Sequence, residues 1–209
     1  MKWKLEDLED ALLIGSTLVE GSTLTEQESR EILAGRTVLG HPISEARELL
    51  NYRSAVEWLI HELQKSPYVS IDLIQSFHQK LFTGFSGDHG KWKSIENYTF
   101  RSDGSRFDYV SPSKVQTAMQ EWIKLYNRDP HDRNQIAELY YSFQSIHPFQ
   151  DGNGRIGRVL MAYWLHWKFK SLFTFKLKDK VEHLRALEAA NSGDLSQLER
   201  FFKKRISKE

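Results

Sequence analysis

Residues 147–158 read His-Pro-Phe-Gln-Asp-Gly-Asn-Gly-Arg-Ile-Gly-Arg, a short run that gathers a titratable ring, a carboxylate, glycines and two arginines. These are the residue types that handle phosphates. Glycine lets backbone N–H groups approach an anion closely, and a helix beginning near Asn153 adds unpaired amides and the positive end of its dipole. Arg155 and Arg158 supply planar forks for phosphate oxygens, Asp151 can hold a hard cation against those oxygens, and His147 can take a proton near neutral pH.

Taken singly, each residue also has an ordinary reading. His147 continues a stripe of Ile136, Leu139, Tyr140, Phe143 and Ile146 at helical spacing, which fits a core histidine. Asp151-Gly152-Asn153-Gly154 alone reads as a turn, because these residues tolerate left-handed backbone. Arg155 and Arg158 could merely solvate the first turn of a helix, yet two cations there oppose the dipole. That unfavourable placement is the sign that an anion belongs at the site.

The elements that must position these groups are mostly helical. Leu5, Leu8, Leu12, Ser16 and Val19 recur at steps of three and four, predicting a first helix that stops near Glu20-Gly21. Thr25 with Glu28 has the spacing of a capping box, and the short helix it starts should end at Gly35. Ser44 is read as the cap of a long helix that Ser66-Pro67 ends. Further helices are expected over 71–82, 113–127, 136–146, from Arg155 onward, 179–190 and 195–206. Between 90 and 112 the rhythm breaks: Tyr98 and Phe100 precede Ser102-Asp103-Gly104-Ser105, and Phe107 and Tyr109 follow it with period-two spacing. This predicts one β-hairpin, which must lean on the helical body because a lone hairpin is marginal in water.

Composition bounds the function. The 209 residues hold 40% hydrophobic and 12% aromatic side chains, enough for one substantial core, with the segment 1–43 as an extension to a core at 44–209. With 29 basic and 28 acidic residues, bulk charge gives no case for nucleic acid or an anionic membrane as partner. The absence of cysteine excludes disulfides and thiol nucleophiles. The start turns acidic at once and the most apolar window, 159–169, is too short to span a bilayer. A cytoplasmic protein is expected.

The whole of 147–158 resembles the signature of the Fic family, His-x-Phe-x-Asp/Glu-Gly-Asn-Gly/Lys-Arg-x-x-Arg, at every constrained position. The resemblance implies a mainly α fold, a Fic-type helical bundle with a hairpin flap at about 90–112 over the active site. It implies a nucleotidyltransferase, a protein adenylyltransferase that moves AMP from ATP to a Tyr, Thr or Ser hydroxyl with release of pyrophosphate. His147 would be the base and Asp151 the Mg²⁺ ligand. Gly152, Asn153 and Gly154 would bind the α-phosphate, Arg155 the β-phosphate and Arg158 the γ-phosphate. Glycine at 154, where a phosphorylating branch carries lysine, favours adenylylation. Asn191, in a stretch similar to the family's base wall, would reach adenine, although His183 and Leu184 stand where tyrosines are common. Ile95 would clamp an extended target segment added to the flap edge. The family's usual Gly-x-x-Arg entering the flap is Gly90-Lys91-Trp92-Lys93 here.

Upstream, Ser16-Thr17-Leu18-Val19-Glu20-Gly21 resembles the family's inhibitory helix pattern, Ser/Thr-x-x-x-Glu-Gly/Asn. The resemblance implies that Glu20 pairs with Arg158 and removes the γ-phosphate clamp. At an effective dielectric of about 20, unit charges ~4 Å apart interact by about 4 kcal/mol, enough to misplace ATP. Alternatives stay open: a de-adenylylating or dual-function enzyme using a Glu20-oriented water, a silent nucleotide-sensing module, or transfer of UMP or phosphocholine. Self-modification is within reach of such chemistry, while the target and the oligomeric state are not readable from the residues.

Overall fold

The computed structural model describes residues 8, 12–130 and 132–207. In chain order the helices are α1 (Ile14–Val19), α2 (Glu26–Leu33), α3 (Ile43–Lys65), α4 (Ile71–Leu81), α5 (Pro112–Asn127), α6 (Ile136–Ile146), α7 (Asn153–Phe169), α8 (Lys180–Asn191) and α9 (Ser196–Arg205). Strands β1 (Tyr98–Phe100) and β2 (Arg106–Asp108) pair antiparallel between α4 and α5. A second antiparallel ribbon joins β3 (Leu172–Phe173) to β4 (Ile206–Ser207). The fold is mainly α with a hairpin, as the sequence predicts; among the described residues no helix is long and apolar enough to cross a membrane.

Helix α7 organises the bundle. It is buried on all sides from Arg155 to His166, which is the pattern of a helix surrounded by others rather than of an amphipathic surface helix. α6 packs beside it and α5 packs on α6, so Trp122, Tyr140, Phe143, Ile156 and Leu160 share one core with Tyr52, Val56 and Leu59 of α3. Two buried phenols pin this core to α7: Tyr52 donates to the carbonyl of Arg155 at 3.1 Å and Tyr126 to that of Leu160 at 2.5 Å.

Local signals explain several boundaries. Thr25 and Glu28 form the expected capping box, Ser70 caps α4 by accepting from the Leu73 amide, and α3 ends at Lys65 ahead of Ser66-Pro67. Ser44 is not the cap of α3. The helix starts at Ile43 with Pro42 in the N-cap position, because proline has no amide to leave unpaired and its fixed φ of −57° leads directly into a helix. The ribbon of β3 and β4 was not expected; its strands are two residues each, too short to carry a periodic signal.

Helix α1 is fully buried. Ile14 and Leu18 form a satellite core with Leu24, Ile32 and Leu49, while Leu12, Leu13 and Val19 enter the main core. Gly15 permits this approach, since a Cβ there would run into the carbonyl oxygen of Phe175. The part of the first predicted helix around Leu5 lies outside the described residues. Hairpin β1–β2 shows alternating exposure and is tied to the body at both ends. Val110 N–H donates to Ser145 O near its base, and at its tip Arg101 donates to Asn191 O and Ser102 to the Glu188 carboxylate.

Gly15→Ala is therefore expected to loosen α1 without unfolding the bundle, costing about 1–3 kcal/mol of its docking as an overpacked contact would. Hydrogen exchange of the 14–19 amides measures this; unchanged protection there would refute the close approach.

Candidate functional site

The loop between α6 and α7 is held by the side chain of Asn153. Its Oδ1 accepts from the Phe149 amide at 3.0 Å and its Nδ2 donates to the Phe149 carbonyl at 2.8 Å. Both polar atoms of this buried amide are thereby used within the loop, so Asn153 shapes the site from beneath. Phe149 is itself buried and stacks on His78 at 3.9 Å between centroids. His78 is held in one neutral tautomer, accepting the Gly90 amide at Nδ1 and donating from Nε2 to the Asp151 carbonyl. Gly152, at φ +78°, turns the chain into α7 where a Cβ would lie 2.9 Å from the Phe82 ring. The first amides of α7 then point out of the helix N-terminus with no preceding turn to bond to.

His147 ends α6 in a left-handed conformation, φ 48° and ψ 60°, which is uncommon for a residue with a Cβ. Its Nδ1 faces the Gln144 carbonyl at 3.3 Å, so the ring carries its proton there and Nε2 is left as the basic atom. Tyr109 stacks on the imidazole at 4.0 Å. Burial, followed by the nearby charge of Lys93, lowers the His147 pKa to about 4, with Gln144, Glu20 and Asp151 acting in the opposite sense. The ring is neutral at physiological pH.

The two arginines are buried under the same helix end. Arg158 donates from Nε to Ser16 Oγ at 2.8 Å, from Nη2 to Ser16 O at 3.3 Å and from Nη2 to Glu20 Oε1 at 2.5 Å, and its guanidinium lies over the Phe175 ring. Burial pushes the Glu20 carboxyl up, but attraction to and hydrogen bonding with Arg158 outweigh it and the net shift is downward. Arg155 reaches Glu48 at 3.3 Å and Asp151 at 3.7 Å, while its buried Nε has no hydrogen-bond partner among the described residues. Gly154 sits against this pair, since a Cβ there would strike Glu20 Oε1 and lie 3.0 Å from Arg158 Nη1.

Asp151 keeps 70% of its side chain exposed at the mouth of a cavity of about 450 Å³, which Ile95, Trp92, Lys93, Phe82 and Glu48 also line. Among the described residues no cluster of three metal-ligating side chains exists. A lone accessible carboxylate still fits Mg²⁺, which is commonly held by one or two carboxylates and otherwise by substrate phosphates. Ile95 is 66% exposed on the approach to β1. Asn191 closes α8, and its carbonyl receives the hairpin's Arg101.

The Fic/DOC family pattern matches residues 68–165, which span α4 to most of α7 and contain this loop. The chain carries a Fic domain. A relative from Nematostella vectensis named protein adenylyltransferase Fic is 29% identical over 198 residues, covering 89% of this chain and 44% of the relative. The chain thus spans less than half the length of the named relatives it matches. A Fic-domain signalling protein from Bacteroides thetaiotaomicron superposes with a TM-score of 0.83 at 23% identity, over 96% of this chain and 85% of that one. An N-terminal Fic domain from Bartonella quintana, solved with bound ADP, gives 0.59 at 16% identity over 79% and 87%.

The sequence motif of this Fic domain brings together His147, Asp151, Gly152, Gly154, Arg155 and Arg158, and long-range folding adds Ser16 and Glu20. Four contributors carry no motif of their own: Glu48, His78, Asn97 and Tyr109. Glu48 and Arg155 are far apart in sequence, and only the packing of α3 against α7 makes them neighbours.

Glu20→Gln keeps the shape and removes the charge opposite Arg158. Because the folded Glu20 pKa lies below its ordinary 4.5, the ion pair contributes above about pH 4.5 and fades as pH falls through the folded value. At pH 7 the variant should lose about 1–2 kcal/mol of α1 docking, seen as faster exchange at Leu18 and Val19. The two proteins should converge in acid, and a difference that does not depend on pH would contradict the ion-pair account.

Proposed function

We propose that this Fic domain is a protein adenylyltransferase restrained by its own first helix. Supporting this are a free Nε2 on a neutral imidazole, a glycine-lined helix N-terminus beside it, and two buried arginines aimed at the same space. The adenylyltransferase name of its relatives agrees with that chemistry, and the ADP in the Bartonella quintana domain agrees with nucleotide at such a loop.

In this reading ATP lies with its triphosphate over the α7 N-terminus. His147 Nε2 takes the proton of a target Tyr, Thr or Ser hydroxyl as that oxygen bonds to the α-phosphorus. The bond from the α-phosphorus to the bridging oxygen breaks and pyrophosphate leaves. Amides of the first turn, with Gly152 and Gly154 allowing close approach, stabilise charge on the α-phosphate oxygens. Arg155, with an unpaired Nε already present, holds the β-phosphate. Arg158 holds the γ-phosphate once Glu20 leaves it. Asp151 would hold Mg²⁺, which when bound supplies positive charge to the phosphate oxygens. Since both side-chain atoms of Asn153 serve the loop, its contribution to the α-phosphate is through its backbone. The target is an extended segment laid along β1–β2 past Ile95, and Asn191 borders the adenine side.

Segment 1–43 acts as the restraint and 44–209 as the catalytic core. Glu20 sits where it neutralises Arg158 and opposes an incoming triphosphate. The same carboxylate supports a second reading, removal of AMP from a modified target by a Glu20-oriented water, because about a third of its side chain remains exposed.

If displacing α1 costs about 2–3 kcal/mol, Glu20→Gly should raise transfer from ATP on the order of 30–150-fold. His147→Ala should abolish it in both backgrounds. Incorporation of label from α-phosphate-labelled ATP into lysate proteins, and into the enzyme itself, measures both effects. Equal incorporation by wild type and Glu20→Gly would sink the restraint, and transfer by His147→Ala would remove the base.

A further inference from the structure

Lys93 is an unusual residue to find buried. It is 4% exposed, lies before the hairpin rather than in the loop motif, and among the described residues has no opposite charge bonded to its ammonium. Lysine is rarely buried without a partner, since removing an ammonium from water is costly. Burial accordingly lowers its pKa to about 8, partly offset by Glu96, which leaves it charged at pH 7.

Its bonds converge on the residue carrying the basic nitrogen. Lys93 Nζ donates to the carbonyl of Ile146 at 3.2 Å, immediately before His147, and Lys93 N–H donates to the carbonyl of Pro148 at 2.8 Å, immediately after it. Its remaining partner, Asn97 Oδ1 at 2.6 Å, belongs to a side chain whose Nδ2 faces the next carbonyl, that of Phe149, at 3.4 Å. The chain before a left-handed His147 is therefore fastened by the Lys93 ammonium and the chain after it by the Lys93 main-chain N–H, with the Asn97 side chain beside them. Such a backbone conformation costs of order 1–3 kcal/mol and persists where its surroundings over-determine it. The ammonium also lies 5.8 Å from the centroid of the Tyr109 ring, and that ring stacks on the imidazole.

We propose that Lys93 is a positioning residue for His147: through its ammonium and its main-chain N–H it locks the strained backbone that aims Nε2, and it stands as a cation beside the imidazole. The groups facing His147 are Lys93 from the strap before β1, Tyr109 after β2, Gln144 on α6, Glu20 beyond α1 and Asp151 in the loop. Lys93 is the one among these that disfavours a second proton by charge; the two carboxylates favour it. An arriving triphosphate adds negative charge, and a fixed cation beside the ring opposes the rise in basicity that this charge brings. The proposal deepens the adenylyltransferase reading but rests on geometry that exists without nucleotide.

The test is a proton–carbon NMR titration of the His147 ring in the full chain, its signal identified by its loss in His147→Ala. Lys93→Gln keeps a donor for Ile146 but not the charge, Lys93→Met keeps only the stem, and Lys93→Arg restores a cation. The neutral variants should raise the His147 midpoint by about one pH unit toward its ordinary value, and Lys93→Arg should return it to that of wild type. Either neutral variant suffices should the other fail to fold. In the Glu20→Gly background, Lys93→Gln should also lower kcat by about tenfold or more while leaving KM for ATP nearly unchanged. An unmoved midpoint in the folded neutral variants overturns the proposal, as does a midpoint that Arg fails to restore. If the midpoints move as expected and Glu20→Gly transfers no nucleotide to any protein, the positioning role stands and the adenylyltransferase reading falls.

Discussion

A guanidinium that is fully buried must be matched, and Arg158 is matched by groups from the opposite end of the chain. Without Ser16 and Glu20, its position inside α7 would strand a charge among Tyr52, Tyr140 and Phe175, at a cost of several kcal/mol. In the proposed reading two anions can meet that demand: the Glu20 carboxylate that follows α1, or the triphosphate of ATP. On that reading, the same requirement that docks the N-terminal segment makes it replaceable by nucleotide. This exclusivity needs no conformational change in α7; it follows from one cation, one space and two anions of different origin. The free energy released by either anion is set by the burial that made Arg158 needy in the first place.

The loop between α6 and α7 is braced for a separate reason. The polar side chains that hold it look inward. Asn153 is consumed by Phe149, His78 by Gly90 and Asp151 O, and Lys93 with Asn97 by the carbonyls around His147. Outward are left backbone amides and an accessible carboxylate, while the buried Arg155 Nε has no hydrogen-bond partner among the described residues. Such a division suits catalysis of group transfer, where preorganised donors stabilise charge without reorganising during the step. The hairpin is part of this scaffold, since Lys93, Asn97 and Tyr109 brace the base, and its tip is secured to α8 through Arg101 and Ser102.

What could be read from residues alone divides along range of interaction. The capping box of Thr25 and Glu28 and the turn at Asp103-Gly104 are decided within four residues, and they were legible. So was the loop motif, because its chemistry is written contiguously. Ser44 was misread as a cap since its type suits that role, whereas Pro42 two residues earlier starts the helix by geometry. The role of Asn153 in the loop was hidden because an exposed amide and one bonded to Phe149 have the same letter. Glu48 beside Arg155 and Lys93 beside His147 depend on packing between elements far apart in sequence; Glu48 has no neighbour pattern that marks it, and Gly90-Lys91-Trp92-Lys93 marks Lys93 without pointing to His147. Glu20 was found through the company it keeps in a hexapeptide, and its proximity to Arg158 is a property of the fold.

Gly154 joins these themes at one atom. A Cβ there would meet Glu20 Oε1 as docked and lie 3.0 Å from Arg158 Nη1, so any residue larger than glycine at 154 requires the Glu20 carboxylate to shift. The absent Cβ also leaves the first amides of α7 open to an anion. In the proposed reading, one hydrogen in place of a methyl serves the restrained state by admitting a carboxylate and the working state by admitting a phosphate, and both uses draw on the same bare stretch of helix N-terminus. A lysine at that position would push the docked carboxylate aside and would present a cation where this chain presents backbone. On the proposed reading, the reaction and the means of holding it in check are coupled because they share that position.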